Sequence, residues 1–186
     1  FFLFLSFLGV KIVAQNSVIA YKNVDISLDG IPNEPIWQEL PEITGFHNLA
    51  PTDVGFAENQ TSVKLFHNGK KLFIRAIYKD SVPKVQVSSL KRDVSIALSD
   101  AFIVVFDTQN QQQNGYLFAA NAYGTQVDAL VEKRNQGYGL NFSWSTIWEV
   151  KTSQDGNQKI YEIAFPLKSL NYNKNNNTFG IQMYVR

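Results

Sequence analysis

The sequence predicts an all-β protein: a single-domain antiparallel two-sheet β-sandwich of jelly-roll or immunoglobulin-like type. Three observations carry that expectation. Short segments of alternating apolar residues recur with turn signals between them, aromatics reach 13% of the chain, and no helical periodicity persists beyond a turn or two. Aromatic and β-branched side chains suit a pleated, half-buried surface, and many short strands at close spacing point to an antiparallel sandwich. With 186 residues, 45% hydrophobic, the chain is long enough to bury one sizeable core.

The first stretch, FFLFLSFLGVKIVAQN, is apolar and ends in a small Ala14 beside a polar Gln15, the pattern of a secretory cleavage region. It is short for a membrane span, which needs roughly 20 residues. Residues 1–15 are therefore read as an export leader clipped of its basic start, the alternative being a buried first strand. Residues 16–186 are the domain, and its strand-like ending, FGIQMYVR, reads as a C-terminal truncation. The expectation is a fragment of an exported protein, destined for the periplasm, the outer membrane or the extracellular space.

VDIS (24–27) then alternates like a strand until SLDGIPNEPIWQEL breaks the run at Gly30. Pro32 and Pro35 fix a corner, and Trp37 follows at once. That indole either closes the end of a core or waits for a ligand. Burying it contributes on the order of a few kcal/mol, which favours the structural role.

SVKLFHNGKKLFIRAIYKD (62–80) holds the clearest hairpin, because Asn68-Gly69 between two alternating runs is a strong turn signal. AFIVVFDT (101–108) and GYLFAANAYG (115–124) form a second pair joined by polar QNQQQN. FIVVF is continuously apolar, as in a strand covered on both faces. GTQVDALVEK (124–133) alternates as the next neighbour. TIWEVKTS, KIYEIAFPL and TFGIQMYVR supply the closing strands, separated by turn-rich SQDGNQ and KSLNYNKNNN, with PLKSL (166–170) as one helical turn. No repeat or inner linker interrupts the chain, and the asparagine run at 173–177 reads as a hairpin tip.

Lys and Arg number 17 against 16 acids. Without the leader, which holds Lys11 and no acid, the formal charge is zero. A neutral chain without basic clusters is not built for nucleic acid, whose affinity comes largely from neutralised phosphates. KRD (91–93) and EKR (132–134) read as solvated strand ends. No cysteine is present, so disulfides and thiolate metal sites are excluded.

In the order of its segments the chain resembles the family-nine carbohydrate-binding modules. The carrying residues are ISLDGIPNEPIW, KLFIRAIYKD, KRD followed by SDAFIVVFDT, NGYLFAANAYGTQVDA, and then IWEVKT, YEIAFPLKSLNY and FGIQMYVR. The likeness is greatest to the variant that opens secreted Gram-negative proteins ahead of a β-barrel-like C-terminal domain. It implies a β-sandwich that binds sugar ends between aromatic side chains, with calcium bound in some members.

NQGYGLNFSWSTIWEV (135–150) is the leading stretch for recognition. Sugars offer apolar C–H faces to aromatic rings and hydroxyl rims to amides and carboxylates, and this stretch interleaves both. Trp144, between two serines, together with Tyr138 and Tyr123 would stack the sugar. Trp148 joins them or, within alternating IWEV, points into the core. Asp128, Asn121 and Arg134 are the hydroxyl partners. Calcium is a candidate cofactor, with Asp107 and Asp100 bracketing one strand and Asp25, Asp29 and Glu34 near the corner, although no stretch has loop-ligand spacing. Zinc has only His47 and His67 to use. Haem is not expected, since the sole Met183 sits in a strand. No paired carboxylates or G-x-S-x-G mark a hydrolase.

The leading expectation is a noncatalytic module for polysaccharide or oligosaccharide. The rivals are a structural module docking on its own C-terminal domain, and a targeting domain for a glycoside hydrolase beyond Arg186.

Overall fold

A computed structural model describes residues 19–47, 55–57, 59–81, 85–93, 99–172 and 178–185. The leader expected at 1–15 and the asparagine run at 173–177 lie outside them. Among the described residues, two five-stranded sheets make up the fold, as the sequence predicts. The first runs in the order β1 (Ala20–Tyr21), β2 (Thr61–His67), β3 (Lys71–Lys79), β9 (Gln158–Pro166), β8 (Glu149–Asp155). The second runs β10 (Gly180–Val185), β4 (Ala101–Asp107), β5 (Asn114–Asn121), β6 (Gln126–Lys133), β7 (Tyr138–Asn141). Every pairing is antiparallel except that of β1 with β2.

The HNG turn closes as its chemistry requires. Asn68 Oδ1 accepts the backbone N–H groups of Lys70 and Lys71 at 3.0 and 2.8 Å, and Gly69 takes a φ of 83°, a conformation glycine adopts without a Cβ penalty. That turn sets the register Phe66↔Phe73. Alternate residues of the two strands then divide between two faces. Val63, Leu72, Ile74 and Ala76 meet Phe102, Val104, Phe106 and Phe118 of the second sheet and Tyr161, Ile163 and Phe165 of β9 in the main core. Phe106 stands edge-on to both Phe118 and Phe165, with ring centroids 5.8 and 5.2 Å apart, the favoured geometry for aromatic pairs. Ile103 and Val105 are half-buried on the other face of the second sheet, in a separate apolar cluster with Leu117, Ala119 and Val127 of the same sheet.

A third cluster answers the question of Trp37. Phe66, Phe73 and Ala164 look away from the main core, and Trp37 and Leu40 cover them. Trp37 is 1% exposed and meets Phe66 edge-on at 5.4 Å. Its Nε1 donates to Glu34 Oε2 at 3.0 Å, and its carbonyl accepts from Lys64 Nζ at 2.8 Å. It closes a second small core behind the first sheet, on the helical turn α1 (Ile36–Glu39), rather than the end of the sandwich.

Two strand expectations are corrected. VDIS keeps its alternation, with Val24, Ile26 and Leu28 turned inward and Asp25, Ser27 and Asp29 exposed, but it joins no ladder. It lies against the Trp37 cluster instead, where apolar alternation is rewarded without strand pairing. IWEV does not form one strand either: β8 starts at Glu149, after Trp148.

Candidate functional site

Three stretches converge at one end of the sandwich: 85–93, the turn after β5, and 142–148. The turn is organised by Asn121, which is 2% exposed. Its Oδ1 accepts the N–H groups of Tyr123 and Thr125, both at 3.0 Å, and its Nδ2 donates to the Ser89 carbonyl at 3.0 Å. Gly124 follows with a φ of 75°. The amide therefore holds the turn rigid and leaves the Tyr123 ring outside, 66% exposed.

Beside that ring lies a concavity of about 250 Å³ lined by Val85, Ala122, Tyr123, Thr152, Ser153, Gln154 and Lys159. It bridges the two sheets, since Ala122 and Tyr123 follow β5 while Thr152 to Gln154 lie in β8. Its volume is just below the roughly 300–1,000 Å³ of drug-sized sites, which suits one ring of a saccharide. Lys159 is fixed at its base, with Nζ donating to Asp80 Oδ2 at 2.7 Å and Asp100 Oδ2 at 2.8 Å. Burial opposes that charge, but the hydrogen bonds it donates to Asp100 and Asp80 outweigh that and raise the lysine pKa above its ordinary value, so the ammonium stays charged.

Behind the concavity Asp128 ties the same end together. Its side chain is fully buried. Oδ1 accepts from the Arg92 guanidinium and from Trp148 Nε1 at 3.4 Å, and Oδ2 accepts from the Thr146 N–H at 2.9 Å. Arg92 also donates to Gln126 and to the Thr146 carbonyl at 3.1 Å and pairs with Asp93 at 3.4 Å. Asp93 in turn accepts from the Asp128 N–H through Oδ1, and so covers the half of the β6 edge that β7 leaves open. KRD is thus not a solvated strand end; Arg92 and Asp93 join three segments through one buried carboxylate. The resemblance had marked that pair, and charge counting had not.

The sequence-predicted recognition residues do not assemble in one place. Tyr123, Asn121, Asp128 and Trp148 share the end just described. Trp148, 4% exposed, stacks on Phe165 at 5.4 Å and meets Phe118 edge-on, so its faces are covered by core rings. Trp144 is half-buried on the flank, its ring against Tyr116 at 5.0 Å and Phe118 at 5.9 Å. Tyr138 and Arg134 stand at the opposite end of β6, where Tyr138 Oη donates to the Gln112 carbonyl at 2.9 Å and Arg134 lies across Gly139. Thr152, Gln154 and Lys159 escaped sequence reading because nothing in VKTSQD or QKIYE sets them apart from ordinary strand residues.

The metal candidates Asp100 and Asp107 flank β4 at opposite ends, roughly 20 Å apart at the usual strand rise, so one ion cannot touch both. Asp107 accepts the N–H groups of Gln109 and Gln112 from its own turn, and Asp100 accepts the Gln86 N–H at 2.7 Å besides Lys159. Met183 packs against the main core, His47 against Phe56 and His67 against Tyr21.

The family model for the carbohydrate family 9 binding domain-like domain matches residues 28–186. Solved structures share the fold. A carbohydrate binding module family 9 from Caldicellulosiruptor kristjanssonii in complex with cellotriose aligns at TM-score 0.60 and 15% identity, over 90% of this chain and 74% of that one. A carbohydrate binding module family 9 from the same organism in complex with glucose gives 0.59 and 16%, over 90% and 75%. A Bacteroides uniformis protein gives 0.61 and 11%, over 81% and 72%. No curated protein matches the chain.

Proposed function

The chain belongs to the carbohydrate family 9 binding domain-like family, and on that premise we propose that it is a noncatalytic glycan-binding module whose saccharide sits beside Tyr123. The observation that carries this reading is the exposed Tyr123 ring at the mouth of a concavity lined by Thr152, Ser153 and Gln154. The ring offers a face to sugar C–H groups, and the hydroxyls and amide offer partners to sugar hydroxyls. Asn121, Asp128 and Trp148 act behind it, holding the turn and the adjoining loop. Trp144, Tyr138 and Arg134 lie outside this concavity and serve the flank and the far end. Complexes of a family 9 module with glucose and cellotriose support glucose-type rings as the first ligands to try.

The wider role we propose is targeting: the module brings an attached domain of an exported protein to polysaccharide, the apolar run at 1–15 supporting export. A docking role finds its own support in Leu90, Phe142 and Ile147, exposed by 70%, 47% and 85%. Calorimetry against glucose, cello-oligosaccharides and soluble plant, algal and microbial polysaccharides separates the two. Saturable binding at one site per chain, lost in Tyr123→Ala, supports the glycan reading. Absence of binding across the panel would turn the proposal towards docking.

A further inference from the structure

Lys159 lines the concavity beside Tyr123, and a lysine at the base of a sugar site is by itself a lure for acidic saccharides, because an ammonium pairs with carboxylate or sulfate. Here that charge is already matched. Nζ donates to Asp80 Oδ2 at 2.7 Å and to Asp100 Oδ2 at 2.8 Å, and it stands 5.4 Å from the centre of the Tyr78 ring. One ammonium therefore faces two carboxylates and an aromatic face. The lysine side chain is 3% exposed, whereas those of Asp80 and Asp100 keep 16% and 21%, so the acids reach further towards water than the base they hold.

Asp100 also fixes two walls of the concavity. Its N–H donates to the Gln86 carbonyl and its Oδ2 accepts the Gln86 N–H, both at 2.7 Å, while its carbonyl accepts the Ala122 N–H at 3.1 Å. Gln86 follows the lining residue Val85, and Ala122 is a lining residue itself. The charges behind repeat the excess of acid, with Arg92 set against both Asp93 and Asp128. Lys151, in β8, does not offset it. Its register with Glu162 turns it to the sheet face away from the pair Gln154 and Lys159, since successive side chains on a strand alternate between faces.

We propose that Asp80 and Asp100, by overmatching the charge of Lys159, make the concavity selective for neutral sugar rings and bar sugars that carry a carboxylate or sulfate. The selectivity is a repulsive one: an acidic ligand finds no free cation and meets like charge, which a neutral ring does not feel. Partly buried charges are screened less than exposed ones, so the effect persists in ordinary buffers. This inference rests on the glycan reading of the Tyr123 concavity and names the class of ligand that the site refuses.

Calorimetry on the full chain with glucose, glucuronate and glucuronamide tests it. The last two differ by an anionic oxygen against an amide nitrogen, so shape is nearly held constant. The wild-type chain binds glucuronamide roughly fivefold or more tightly than glucuronate at low ionic strength, and the ratio narrows as salt is added. Asp100→Asn, which keeps a carbonyl oxygen for Lys159 and for the Gln86 N–H, brings that ratio towards one. Should this variant fail to fold, Asp80→Asn narrows the ratio likewise. Glucose binding that depends on Tyr123, with glucuronate and glucuronamide bound alike by the wild-type chain, would overturn this inference and leave the glycan reading standing. No binding of any of the three would overturn both. A ratio that persists unchanged in both variants would assign the discrimination to shape and overturn the role of the two acids.

Discussion

Trp148 Nε1 donates to Asp128 Oδ1 across 3.4 Å, linking the segment that enters the first sheet to a strand of the second. That bond marks where the chain crosses between sheets at the flank of the sandwich. The same carboxylate holds Arg92 and the Thr146 N–H, so one buried acid fixes the loops behind the Tyr123 concavity.

Replacing Asp128 by alanine leaves the Arg92 charge, the indole N–H and a backbone N–H without their acceptor. Breaking a buried charged pair costs about 3 kcal/mol or more, and urea denaturation followed by tryptophan fluorescence should show a loss of that size. Arg92→Ala, which leaves the fully buried Asp128 carboxylate without its cation, should cost a comparable amount.

Tyr123→Ala should separate binding from stability. The ring is mostly in water, so its loss should change the unfolding free energy by no more than about 0.5 kcal/mol, while saccharide affinity falls at least tenfold. Parallel calorimetry and denaturation of the same preparation give both numbers.

Trp37→Ala should be costly in the opposite pattern. The indole is 1% exposed and closes the second core, and large-to-small truncation of a buried tryptophan costs about 3–5 kcal/mol. Equilibrium unfolding should reveal that loss; a variant as stable as wild type would contradict the second core.

Glu162 gives a pH prediction. Burial pushes its carboxyl up from the ordinary value of 4.5, the Gly30 N–H opposes that rise, and the nearby Glu34 charge reinforces it. A carboxyl whose folded pKa is raised stabilises the fold below its unfolded pKa, and that contribution fades as pH climbs through the folded value. Measured against Glu162→Gln, the wild-type chain should therefore be relatively more stable at pH 4 than at pH 7. Chemical denaturation of both proteins at the two pH values reads the difference; a constant gap would refute it.

The strands were legible because burial on one face writes itself as alternation, and Asn68-Gly69 and the SQDG turn mark their ends. Even PLKSL appears as a 3-10 turn at Leu167–Ser169. VDIS misled because a segment laid across a sheet is rewarded for the same alternation as one paired within it. The pairing of Ala20–Tyr21 with β2 had no signal, being two residues long. The site was harder to read, since local composition flagged the aromatic-rich stretch 135–150 while the fold sets Trp148 in the core, Trp144 on the flank and Tyr138 at the far end of β6, and leaves Phe142 exposed. Arg92 with Asp128, and Glu162 with Asp29, are pairs made by loops that return to distant strands, and nothing local announces them.

Backbone amide chemical-shift mapping during titration with cellotriose tests the glycan account most directly. It predicts that Ala122, Tyr123, Thr152, Ser153 and Gln154 move together and saturably, while the far end around Arg134 and Tyr138 stays still. Shifts centred on Arg134 and Tyr138, or none at all, would contradict it.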